Sequence, residues 1–148
     1  SGTTEKVAKL LAEKLNKDVD IINLRKDKNP SVSAYANIII GGSIRASQIQ
    51  SGIKKFIEHN REELISKKIG LFLCCMEEGE TAEKQFNESY PEELRKMASA
   101  SGLLGGEFNF EKLNFLEKGI IKKVSGVTES VSNIKHKAIE EFACEFNS

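Results

Sequence analysis

Apolar residues recur along the chain with two different spacings. Val7, Ala8, Leu11, Ala12 and Leu15 follow a helical period, with Glu5, Lys6, Lys9, Glu13 and Lys14 on the other faces, so the N-terminal stretch predicts a surface helix laid on a core. "DVDIINL" (18–24) is rich in β-branched residues and predicts a short strand. "YANIIIGGS" (35–43) is a continuous apolar run ended by Gly-Gly, as expected of a strand buried on both faces. Ile53, Phe56, Ile57, Asn60 and Leu64 mark a second helix with Ser51 as its cap. "KIGLFLCCM" (68–76) predicts another buried strand. Beyond it the pattern is helical, with Pro91 at a first helical position and Gly102 past a helix end. "LLGGEFNF" (103–110) reads as a strand with a glycine bend, and the chain closes in a helix whose inner face is Ile139, Phe142, Ala143 and Phe146.

Helices alternating with continuous apolar strands predict an α/β fold, a doubly wound parallel sheet with helices on both faces. With 148 residues, no repeat and no linker, the chain reads as a single domain over 1–148. Lys plus Arg equals Asp plus Glu, so the clustered positive excess that nucleic acid requires is missing and no nucleic-acid partner is expected. Three cysteines, two of them adjacent, do not form a disulfide framework and fit a reducing, cytoplasmic setting. Cys74 and Cys75 point to opposite faces of one strand, so they read as buried structural residues, and Cys144 reads as helix packing. His59 and His136 lack neighbours at ligand spacing and read as surface residues, so no metal is expected.

In open α/β sheets ligands bind beyond the carboxyl ends of the strands. Three segments have that position: "SGTT" (1–4), "GGSIRASQ" (41–48) and "CCMEEGE" (74–80). Gly2 permits close backbone approach, Ser1, Thr3 and Thr4 carry hydroxyls, and the helix start supplies free N–H groups, a set that suits a phosphate as well as a simple helix cap. Neither a P-loop lysine nor a G-x-G-x-x-G fingerprint is present.

These residues carry a resemblance. "SGTTEKVAKLL" resembles the end of the flavodoxin phosphate loop. "YANIIIGGSIRASQIQSGIKKFI" resembles the third strand, flavin-side loop and next helix of the flavodoxin-fold, menaquinone-dependent protoporphyrinogen dehydrogenase family, and "KKVSGVTESVSN" (122–133) resembles its basic serine-glycine-threonine stretch. The resemblance implies a strand order 2-1-3-4-5, five strands with four in this chain, and a first strand that would precede Ser1. It implies FMN as cofactor, its phosphate on Ser1, Gly2, Thr3 and Thr4. Ser43, Ile44, Arg45 and Ala46 would line one side of the isoalloxazine ring and Cys75, Met76, Glu77, Glu78 and Gly79 the other. With no Trp in the chain and neither Tyr in these loops, Met76 or Ile44 would serve against the ring.

Arg45 could balance negative charge on the reduced ring, hold a substrate carboxylate, or be a solvated loop residue. Glu77, Glu78 and Glu80 form either an acidic turn that favours the next helix or a charge that lowers the flavin potential. The resemblance implies FMN redox chemistry, either oxidation of a porphyrinogen with a quinone acceptor or electron carriage to a redox partner protein; a flavin-free binding module is the third reading. An insertion over 111–133 precedes the last helix, and its 111–126 part carries an apolar stripe with Lys112, Lys118, Lys122 and Lys123, which suits either packing on the domain or contact with a membrane surface.

Overall fold

The computed structural model describes residues 2–108 and 131–148. Its elements in chain order are α1 (Gly2–Ala12), β1 (Asn37–Arg45), β2 (Gln48–Ile49), α2 (Ser51–Leu64), β3 (Lys68–Cys74), α3 (Gly79–Ser89), α4 (Glu92–Met97), β4 (Ala100–Leu103), β5 (Gly105–Phe108), β6 (Val131–Ile134) and α5 (His136–Asn147). β1, β3 and β4 are parallel neighbours, with β2 antiparallel on the outer edge of β1 and the sheet ordered β2-β1-β3-β4. β5 and β6 form a separate antiparallel pair.

Alternation along the parallel strands divides the interior into two layers. Ile40, Ile69, Leu71, Leu73 and Cys75 pack with Ile53, Phe56, Ile57 and Leu64 of α2 and Leu94 of α4. On the opposite face Phe72 and Cys74 pack with Val7 and Leu11 of α1 and Ile139, Phe142, Ala143 and Phe146 of α5. The sheet is therefore covered on both faces, as the continuous apolar runs predict. Cys74 and Cys75 fall in opposite layers, as their adjacency requires.

Glycines inside the strands make room for aromatic rings in the α1–α5 layer. A Cβ at Gly41 would lie 2.0 Å from the Phe72 ring, one at Gly70 would lie 2.9 Å from Phe142, and one at Gly102 would lie 3.2 Å from the same ring. Gly41 and Gly42 thus belong to β1 instead of ending it, and Gly102 belongs to β4 instead of following a helix. Tyr90, fully buried, lies under the sheet with its hydroxyl against the carbonyls of Phe72 and Ile40 and accepting from the Gly42 N–H. It ties β1 to β3 just before Ser43.

Several expectations change. Residues 18–24 form no strand: Val19, Ile21 and Ile22 are more than 40% exposed, and no described residue pairs with them. β-branched composition favours a strand only where a neighbour completes the ladder. The segment is instead held by Leu24 and Val32 against the α2 side and by the Tyr35 hydroxyl donating to Asp20 at 2.7 Å. The 103–110 run is split at Leu104, and β6 takes in 131–133, the end of the stretch expected as an insertion over 111–133. Ser51 does not cap α2; Gln50 precedes it and makes no side-chain cap bond, because its Oε1 accepts from the Ser43 N–H at 2.9 Å. Cys144 is exposed on the outer face of α5. The 111–126 segment lies outside the described residues.

Candidate functional site at the carboxyl edge

The parallel strands end at Arg45, Cys74 and Leu103, and the three expected loops meet at that edge. Ser43 and Cys74 are register partners, so the 41–48 and 74–80 segments are adjacent. The start of α1 reaches the same edge, where the Thr4 hydroxyl contacts the Ser43 hydroxyl. Thr3 donates to the backbone carbonyl of Glu107 at 3.4 Å. Ser1 lies outside the described residues.

The GGSIRASQ segment is a hairpin rather than a loop. Arg45 pairs with Gln48, leaving Ala46 and Ser47 as a two-residue turn with φ of 51° and 65°. Positive φ at both turn residues is the geometry that matches the twist of two hairpin strands, and it normally selects Asn or Gly. A side chain in that region costs about 1 kcal/mol per residue, so the turn stores strain at the edge. Ser43 faces α1 and Ile44 packs toward the α2 layer, as alternation dictates. Ile44 is therefore half-buried, while Arg45 and Ala46 are exposed.

On the other side the structure buries Cys75, expected to line the ring. Its N–H donates to Gly105 O at 3.1 Å, and its thiol donates to Glu77 O at 3.7 Å. A Cβ at Gly106 would lie 2.7 Å from Cys75 O, so β5 lies directly on the Cys75 backbone. Burial pushes the Cys74 thiol up to about 12 and raises Cys75 as well, so both stay protonated near neutrality. What this segment presents to solvent is Met76, Glu77, Glu78 and Gly79, the last with φ +60° at the start of α3.

Sequence reasoning missed the antiparallel β5–β6 pair that stands between these two parts. On one face Glu107 Oε2 takes Lys6 Nζ and Ser132 Oγ, each at 2.9 Å. On the other face Glu78 Oε1 takes Lys135 Nζ and Asn133 Nδ2, each at 3.2 Å. The adjacent residues Ser132 and Asn133 thus bind Glu107, which also takes Lys6 of α1, and Glu78 of the 75–79 segment, because neighbours on a strand face opposite ways. No local motif marks these residues; only the pairing of β5 with β6 brings them to the edge.

Lys135 beside Glu78, by hydrogen bond and charge, holds the Glu78 carboxyl below the usual carboxylate range, and Asn133 adds to this. A depressed folded value means that the contact contributes stability above the unfolded carboxylate pKa and loses it as pH falls through the lower folded one. An NMR titration of the glutamate carboxyl carbons is expected to show Glu78 as a low-titrating member, moving back up in Lys135→Met.

The edge offers the donors an anion requires. Nothing lies within 4 Å of where a Cβ would stand on Gly2, and the first-turn N–H groups of α1 have no intrahelical partner. Thr3, Thr4 and Ser43 supply hydroxyls beside them.

A flavodoxin-domain family model matches residues 1–134. The chain belongs to the flavodoxin domain family. Flavodoxin 1 from Bacillus cereus, in its oxidised crystal structure, shares the fold with a TM-score of 0.58 and 18% sequence identity, over 99% of this chain and 90% of that one. No curated protein matches the chain. Membership implies FMN as the cofactor and redox partner proteins, and the open glycine, hydroxyls and helix start fit its phosphate end. Among the described residues no helix is long and apolar enough to cross a membrane.

Proposed function

We propose that this flavodoxin-domain protein binds FMN at the carboxyl edge and is an oxidoreductase of the protoporphyrinogen dehydrogenase kind, taking hydrogen from a porphyrinogen and passing electrons to a quinone. The observation that carries the proposal is the contact of Thr4 with Ser43, which joins a phosphate-type helix start to the G-S-I-R segment. FMN, when bound, supplies one- or two-electron transfer. Gly2, Thr3 and Thr4, with Ser1 before them, hold the phosphate through backbone N–H groups and hydroxyls. Ser43, Ile44, Arg45 and Ala46 border the ring on one side. Met76, Glu77 and Gly79 border it on the other; Cys75, buried and with its backbone taken up by β5, supports that wall from beneath. The strained Ala46–Ser47 turn keeps Arg45 at the edge, where a guanidinium can hold a substrate carboxylate.

A second reading, an electron-carrier flavodoxin, is favoured by Met76, an apolar side chain 43% exposed beside the proposed ring position, where a redox partner protein would dock. A cytoplasmic location accords with both readings.

A visible absorption titration with FMN tests the shared part: a perturbed flavin spectrum is expected, and none would leave a flavin-free binding module. Turnover of protoporphyrinogen with a quinone acceptor separates the two redox readings. Arg45→Ala is expected to lower turnover about tenfold or more, by analogy with the loss of a charge-assisted contact, and FMN affinity less than threefold. Equal losses in both would remove Arg45 from the substrate.

A further inference from the structure

The 75–79 segment has little internal reason to keep one conformation. It joins β3 to α3 and contains four consecutive exposed residues, the last a glycine at positive φ. Within the segment the thiol of Cys75 on Glu77 O is a weak bond. Its firm attachments come from a distant part of the chain.

Lys135 stands at the junction of β6 and α5, and its backbone is fixed on both sides. Its N–H donates to Leu104 O at 3.1 Å, and its carbonyl accepts from Ile139 N at 3.0 Å. The close approach of β5 adds to this, since a Cβ on Gly105 would lie 2.8 Å from Lys135 N. The Lys135 side chain thus starts from a fixed point within reach of Glu78, its Nζ 3.2 Å from Glu78 Oε1. Asn133, two residues back, donates to the same oxygen. Two donors on one carboxylate oxygen, one from β6 and one from the residue just after it, beside the β5 carbonyl that takes the Cys75 N–H, make a multipoint attachment. An isolated exposed ion pair is worth little, but several contacts that share one rigid support need not each bear the ordering cost.

From this geometry we infer that Lys135, aided by Asn133, is a positioning residue for the 75–79 segment: it fixes that wall of the carboxyl edge and neutralises Glu78 within it. The β5–β6 pair thereby sets the shape and the charge of one side of the site, though it contributes no residue to the loops that border it. The consequence for the cofactor rests on the FMN reading above. A wall carrying an unneutralised Glu78 would disfavour the more negative, reduced form of the flavin relative to the oxidised form.

The deciding experiment is amide hydrogen exchange on the cofactor-free chain. In Lys135→Met and in Glu78→Gln, exchange at the Cys75 and Ala82 amides, which donate to Gly105 O and Glu78 O, is expected to quicken about fivefold or more, as local opening becomes easier. The amides of β3 should be unchanged, and Lys135→Arg should restore protection. The two variants approach the contact from opposite sides, so a folding defect in one leaves the other to decide. Unchanged exchange in both, or unprotected amides in the wild-type chain, would overturn the inference whatever FMN does. A second arm compares affinity for oxidised and dithionite-reduced FMN. Lys135→Met should weaken the reduced form about threefold or more relative to the oxidised one, and adding Glu78→Gln should reverse this. An equal effect on both forms would overturn the charge part. Failure of the wild-type chain to bind either form would overturn the FMN reading, and with it the charge part, while the exchange result still judges the positioning.

Discussion

Gly105→Ala is expected to destabilise the protein by about 3 kcal/mol and to free the β5–β6 pair from the sheet. The residue has φ of +84°, a region in which a side chain costs about 1–3 kcal/mol. A Cβ there would stand 2.0 Å from Asn133 O and 2.8 Å from Lys135 N. Both are backbone atoms, so no rotamer change relieves the clash. Forcing atoms into filled space adds about 1–3 kcal/mol. Gly105 is also where the chain leaves the parallel sheet: Leu104 N–H still donates to Leu73 O, and Gly105 O already accepts from Cys75. Chemical denaturation measures the loss of stability, and chemical shifts of Cys75 and Lys135 report the strand pair. A loss under about 1 kcal/mol would mean that β6 can retreat from β5, so that the close approach is not a firm constraint.

The edge itself was legible before its walls were. The segments 1–4, 41–48 and 74–80 follow from strand topology, because continuous apolar runs mark buried parallel strands and ligand loops follow their carboxyl ends. Glu107, Asn133 and Lys135 were not legible, since their partners are far away in the chain: Lys6 is 101 residues from Glu107, and Asn133 is 55 from Glu78. "VSNI" is half polar and becomes a strand only by pairing with β5. The converse error occurred at 18–24, where strong β composition has no partner among the described residues. Periodicity reports which face a residue turns to the core; it does not report which distant strand completes a ladder.

Glycine shows the same division between local and tertiary causes. Gly102 has the sequence context of a helix stop, following "RKMASAS". Its cause is instead the space it leaves over β4. Gly70 does the same on β3, and together they seat the ring of Phe142. Local rules know that glycine ends helices, and they have no access to an aromatic ring arriving from 40 residues downstream.

That seat makes Phe142→Ala the substitution with the largest expected loss of stability, about 3–5 kcal/mol. Phe142 is 1% exposed and packs edge-on against Phe72, with ring centroids 6.2 Å apart, and stacks on Phe146 at 6.4 Å. Removing the ring leaves a cavity floored by Gly70 and Gly102, which have no side chains that could relax into it. The cost of a large-to-small change depends on how far the surroundings collapse, and two backbone surfaces in a parallel sheet collapse little. Gly102→Ala should recover part of the loss in the double variant. In the wild type the added methyl would meet Phe142 at 3.2 Å, yet with the ring gone it fills the cavity, with only Leu104 at 3.0 Å having to give. A double-variant cycle by denaturation measures this coupling. Simple additivity of the two losses would show that Gly102 is not the seat of the ring.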